Sequence, residues 1–139
     1  MQKNVWGFTL LELLIVITIL GFLVMIAVIR YGNLLENSRA SVAYFTLSNI
    51  IGAEKAYYWD QEPPAYTNNL TALGFPTNPS VSDNYFVDDY FNYSFNIPAV
   101  GAPAAFALRR LVNGVLKAQK SYKMDINGEK SSAVTNSYW

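Results

Sequence analysis

Neither cysteine nor histidine occurs anywhere in the 139 residues. The first absence excludes disulfides, zinc–thiolate centres and thiol nucleophiles. The second excludes every histidine-based catalytic dyad or triad. Missing cysteines do not identify a compartment, because an exported protein can do without disulfides. Charge is scarce as well: ten basic and ten acidic side chains cancel to a formal net charge of zero. No global field is available to hold nucleic acid or an anionic membrane surface. No proline precedes Pro63, so nothing of that kind interrupts a helix in the first sixty positions. Once the apolar N-terminus is set aside, roughly 80 to 110 residues remain, which allows a small core but not a large enzyme with a deep pocket.

What the chain does have is a long hydrophobic run near its start. Phe8 to Ile29, FTLLELLIVITILGFLVMIAVI, contains one charge in 22 residues, Glu12. As a helix it is about 33 Å long, enough to cross the hydrocarbon of a bilayer. A globular core helix would carry polar residues at helical spacing, and this stretch has almost none. An ordinary secretory signal has a basic start, a short apolar run and a small-residue cleavage site after that run. Here the basic start is only Lys3, and the small-residue junction, Gly7-Phe8, precedes the run. Cleavage there leaves the apolar segment in the mature protein as its new N-terminus.

Glu12 then acquires a reason. A carboxylate inside a membrane segment costs about 2.5 to 3.5 kcal/mol on insertion scales, so such residues have partners. Cleavage after Gly7 frees an amino group on Phe8, about one helical turn from Glu12. Either a contact within the chain or a contact to the Phe8 amine of an axially shifted neighbour would satisfy the charge. The second would make Glu12 a register pin for stacked helices.

The stretch GFTLLELLIVITILG closely resembles the N-terminus of type IV pilins and type II secretion pseudopilins. The resemblance implies that prepilin peptidase cuts after Gly7 and methylates the new N-terminal Phe8, and that Glu12 is the assembly carboxylate. One departure stands out. Many major pilins carry a proline near the position of Ile29, where this chain reads AVIRYGN. In pilins that proline, with an upstream glycine, is associated with local unwinding in filaments. Gly21 alone weakens a helix by about 1 kcal/mol relative to alanine. Charge bias does not set orientation, with Lys3 on one side of the run and Arg30 and Arg39 on the other. An N-terminus-in topology rests on the resemblance.

Beyond the run the chain stays helix-compatible to about Trp59, which predicts one continuous helix from Phe8, roughly 75 Å long if straight. Gly32 and Gly52 are its weak points. An apolar stripe of Leu35, Val42, Phe45, Asn49, Ala53 and Tyr57, widened by Leu34, Ile50 and Ile51, is expected to lie on a folded head. Glu36, Asn37, Arg39, Ser48 and Lys55 are assigned to other faces. A coiled-coil seam is the weaker reading, since the stripe is short and irregular.

The second half reads as a loop followed by strands. Pro63-Pro64 stops the helix. Asn68 or Asn69 caps a short turn at Leu70 to Leu73, which Gly74 ends. The AYTNNLTALGF segment also resembles, more weakly, the segment after the long helix in many pilins and pseudopilins. In YFNYSFNI, the residues Phe91, Tyr93, Phe95 and Ile97 alternate with Asn92, Ser94 and Asn96, the pattern of a half-buried strand. AAFALRRL places Phe106 and Leu108 on one face, and KSYKMDI places Tyr122, Met124 and Ile126 together. Asn113-Gly114 and Asn127-Gly128 are turn signals. The expected fold class is α+β: the long helix covers the apolar face of a three- or four-stranded antiparallel meander. Its parts are a leader (1–7), the long helix (8–59, with 8–29 transmembrane) and a head (60–139).

Several motifs compete with plainer explanations. Asp83, Asp88 and Asp89 could hold calcium, as major pseudopilins do near this region, because clustered oxygen ligands suit hard cations. Their spacing fits no ligand pattern, and a solvated acidic loop is preferred. DINGEK lacks the distal glutamate of a calcium loop and is better read as a hairpin turn. Arg109, Arg110, Lys117, Lys120, Lys123 and Lys130 make the last third locally basic, but strand alternation splits them between faces, so nucleic acid is not expected. Asn69-Leu70-Thr71 and Asn92-Tyr93-Ser94 match the glycosylation triplet, which is common by chance.

The expected function is therefore structural, not enzymatic, with no cofactor and no metal. The chain reads as a subunit of a type IV pilus-like filament, with Glu12 against a neighbouring Phe8 amine. The alternatives are a pseudopilin of a type II secretion system and a membrane-anchored binding module that never polymerises. The absence of a cysteine pair disfavours the disulfide-looped major pilins. By resemblance only, the partners are further copies of the chain, minor pilins, prepilin peptidase, an assembly ATPase and a platform membrane protein. Membrane lipid surrounds the helix before assembly. The implied location is the bacterial inner membrane as a single-pass protein, then a periplasmic or extracellular filament.

Overall fold

The computed structural model describes residues 8–76 and 86–134. Helix α1 (Leu10–Asp60) runs for 51 residues without interruption, through Gly21, Gly32 and Gly52. Its start is set locally. The Thr9 hydroxyl accepts the Glu12 backbone N–H at 3.2 Å, and the Thr9 carbonyl accepts the Leu13 N–H at 3.2 Å. Thr9 is thus the N-cap and Glu12 the third helical residue, the Thr-x-x-Glu spacing of a capping box. The carboxylate in the first turn also complements the helix dipole. At the far end Pro63 and Pro64 cannot continue the helix.

The chain divides after Leu35 into two compact units. In the first, every described side chain from Phe8 to Val28 is exposed. The Thr18 hydroxyl donates to the Leu14 carbonyl at 2.7 Å and so needs no outside partner. This helix is long and apolar enough to cross a membrane.

In the second unit the rest of α1 packs on an antiparallel sheet. The strands are β1 (Phe86–Val87), β2 (Phe91–Asn96), β3 (Ala104–Arg109), β4 (Leu111–Val112), β5 (Val115–Leu116), β6 (Ser121–Asp125) and β7 (Lys130–Ala133). The sheet order is β1-β2-β3-β6-β7, and β4-β5 is a separate ribbon inserted between β3 and β6. A meander of three or four strands was too few: the sheet has five. The additional strands are β1, with two residues, and β7. Lys-Ser-Ser-Ala in β7 carries no apolar alternation because it is an exposed edge. The predicted turns are present. Asn113 and Gly114 both have positive φ between β4 and β5, and Gly128 does so between β6 and β7.

The core lies between α1 and one sheet face. Ala43, Leu47, Ile50 and Ile51 meet Phe91, Tyr93, Phe95, Tyr122 and Met124. Three expectations need correction. The helix stripe is rotated: Leu34, Val42 and Phe45 are 65%, 48% and 69% exposed, and Asn49 is also exposed. Ile50 and Ile51 alone carry over fully buried, while Ala53 and Tyr57 are half-buried. The face of β3 is inverted as well. Ala105 and Ala107 face the core, paired to Phe95 and Tyr93 on one side and to Met124 and Tyr122 on the other. Neighbouring strands already fill the space with aromatic rings, so only methyl groups fit between them. Phe106 is buried on the opposite face, paired with Ser94, with the Lys123 ammonium 5.7 Å from its ring centre. Ile97, expected in the core, lies past the end of β2 and is exposed.

Candidate functional site

Of the residues tied to processing and assembly, Gly7 lies outside the described residues. Phe8 is exposed and precedes the first turn of α1; Glu12 lies in that turn and is exposed too. The capping geometry gives the Glu12 position a local role that the apolar pattern alone does not suggest. Its backbone N–H is held by Thr9, while its carboxylate has no hydrogen bond or ion pair among the described residues. The carboxylate is therefore presented outward from the first turn of an apolar, exposed helix.

The packed half of α1 carries two carboxylates, one expected on an outer face and one not singled out by its local pattern. Glu36, assigned to an outer face, is buried. Its Oε1 accepts the Lys120 N–H at 3.1 Å and the Tyr122 hydroxyl at 2.9 Å, and its Oε2 accepts the Gln119 N–H at 3.1 Å. The Arg39 guanidinium lies 3.6 Å away. Two of these bonds come from backbone N–H groups just before β6 that no strand partner uses, and the third comes from a side-chain hydroxyl. Burial, and next the hydrogen bond to Glu36, push the Tyr122 phenol above its ordinary range.

Glu54 is fully buried at the other end of the core face. Its Oε2 accepts the Thr67 N–H at 3.1 Å, and its Oε1 has no partner among the described residues. Burial pushes its carboxyl up to about 7, against the opposing effect of the Thr67 bond. The bond ties the loop after α1 back to the helix. The stacked rings of Tyr58 and Tyr66, 4.6 Å apart, reinforce the tie. Glu36, Ala40, Ala43, Leu47, Ile50 and Glu54 are spaced 4-3-4-3-4. The signal was therefore present in the sequence, hidden because its two ends are charged.

The acidic loop resolves into structure of another kind. Asp83 lies outside the described residues. Asp88 Oδ1 accepts the N–H groups of Tyr90 and Phe91 at 2.7 and 2.6 Å, and Oδ2 accepts the Tyr93 hydroxyl at 2.8 Å. Both oxygens are engaged in folding the turn before β2, while Asp89 is exposed. Asp125, in DINGEK, likewise accepts the N–H groups of Asn127 and Glu129 at 2.9 and 2.7 Å and staples the β6–β7 turn. No group of three potential metal-ligating side chains exists among the described residues.

The basic residues do not form one stripe. Arg109 donates to the Gln119 carbonyl, Arg110 donates to the Asp88 carbonyl, Lys123 covers Phe106, and Lys130 lies over Tyr44. Asn69 is the expected cap: its Oδ1 accepts the N–H groups of Thr71 and Ala72 at 3.0 and 3.2 Å. The second triplet lies inside β2, where Ser94 is buried. Compared with family models, with curated proteins and with solved structures, the chain matches none.

Proposed function

We propose that the chain is a structural subunit of a type IV pilus-like filament, made as a membrane-anchored precursor. It is cleaved after Gly7, methylated on Phe8 and polymerised by helix packing, with Glu12 paired to the Phe8 amine of a neighbour. The observation that carries this reading is the segment from Phe8 into the first half of α1: apolar, exposed at every described position to Val28, and interrupted by a single unpartnered carboxylate. Such a surface requires lipid or further copies to cover it. A carboxylate there requires a cationic partner. The new α-amine of an axially shifted neighbour is of the right charge to be that partner. Heterologous stacking that does not close yields a filament.

The same subunit would serve a secretion pseudopilus, a reading with which the small head of residues 60–139 is compatible. A non-polymerising tether would use the same anchor but would leave Glu12 without a task. The deciding experiment is the mass of the N-terminal peptide of protein recovered from membranes. A peptide that begins at Phe8 with one added methyl group supports the subunit reading. A peptide still beginning at Met1 or Gln2 defeats it.

A further inference from the structure

We propose that the β4–β5 hairpin of one copy seats in a groove on the head of a second copy, the groove between the end of α1 and the 70–74 turn. The inference rests on the filament reading and specifies a heterologous contact between successive subunits within it. The hairpin is an apolar projection. Leu111, Val115 and Leu116 are 60%, 61% and 42% exposed. A two-stranded ribbon this short is marginal by itself and gains from being covered. It is nonetheless held in place at its base. The Lys117 N–H donates to the Arg110 carbonyl at 2.9 Å, and the Arg110 N–H donates to the Tyr90 carbonyl at 2.8 Å. The Arg110 guanidinium donates to the Asp88 carbonyl at 2.8 Å. The projection is therefore preformed, and little ordering cost remains for docking.

The groove has a volume of about 400 Å³ and is lined by Ala53, Ala56, Tyr57, Asp60, Ala72 and Leu73. Three alanines leave room for branched aliphatic side chains. Its charge is acidic, from Asp60, while Lys55 lies on the opposite side of α1 by helical spacing. The base of the hairpin is basic, with Lys117 exposed and without a side-chain partner among the described residues. Shape and charge are thus complementary.

The two surfaces cannot meet within one head. The hairpin base adjoins the segment whose Gln119 and Lys120 amides bind Glu36, and Tyr90 beside it lies under Arg39. The groove lies at Ala53 to Asp60. Their centres are about 19 residues apart on α1, roughly 29 Å along the helix at 1.5 Å per residue. A projection and a socket at opposite ends of one unit make a heterologous contact, which repeats from copy to copy.

Because the chain has no cysteine, full-length protein carrying Val115→Cys and Ala56→Cys together has two thiols, both at exposed positions. Mild oxidation in the native membrane and filament fraction is expected to give a ladder of dimers, trimers and higher multimers, while each single variant stops at a dimer. Lys117→Glu should reduce the ladder about threefold at low salt, with recovery when Asp60→Lys is added. Filaments that sediment normally but give no ladder beyond the dimer would overturn the contact and leave the filament reading standing. A loss by Lys117→Glu that Asp60→Lys does not rescue also overturns it. Neither ladder nor sedimenting filament means that the filament reading has failed and the contact with it.

Discussion

The Tyr122 hydroxyl donates to the buried Glu36 carboxylate at 2.9 Å across 86 residues of sequence. Glu36 also takes the N–H groups of Gln119 and Lys120. One side chain therefore joins the start of the packed half of α1 to the entry of β6. It also gives partners to two part-buried backbone N–H groups that no strand pairs.

Removing that carboxylate should be severe. Glu36→Leu leaves two amides and a phenol unpaired and is expected to cost about 3 kcal/mol or more. Tyr122→Phe removes one donor and should cost about 1 to 3 kcal/mol. Thermal unfolding of the full chain in detergent micelles orders the two. A Glu36→Leu protein as stable as the parent would show that the network contributes nothing.

Glu54 predicts a pH dependence. Burial raises its carboxyl from 4.5 to about 7. The unfolded chain therefore loses its proton first, and the stability from this group is fully present below pH 4.5. It declines as pH rises to about 7, by roughly 3 kcal/mol for a shift of this size. Glu54→Gln should flatten the profile between those limits. Melting curves at pH 4.5, 6 and 8 for both proteins test it, and an unchanged slope in the variant would count against Glu54 as its source.

The inverted face of β3 makes a packing prediction. Ala107 is fully buried between Tyr93 and Tyr122, so Ala107→Leu overpacks the core at a cost of about 1 to 3 kcal/mol. Leu108→Ala, half-exposed on the other face, should have a smaller effect. Urea unfolding of the detergent-solubilised chain compares them, and the reverse order would favour the register in which Leu108 faces the helix.

Glu12→Gln keeps the size and removes the charge. On the proposed mechanism it should sharply reduce filament incorporation without altering membrane insertion or head stability. Immunoblots of sheared filaments against membrane fractions give both quantities. Incorporation equal to the parent would remove the register pin.

Much of this architecture was readable residue by residue. The apolar run, the proline stop, the alternation of Phe91, Tyr93 and Phe95, and the Asn-Gly turns each express a local physical preference, and each appears where expected. The helix face was not readable, because Glu36 and Glu54 break the apolar period. Charge alone assigns them outward. They point inward because distant amides, at Gln119, Lys120 and Thr67, supply what water would have supplied.

The sequence by itself determined a membrane-length apolar helix, its stop before Pro63 and an antiparallel β head, since hydrophobic period, helix-breaking and turn chemistry act over a few neighbouring residues. Only the tertiary structure decided which helix face is buried, that the alanines of β3 and not Phe106 and Leu108 meet the helix, and that Asp88 and Asp125 staple turns. Those outcomes depend on how much volume and how many hydrogen-bond donors arrive from remote strands, quantities that no local pattern encodes.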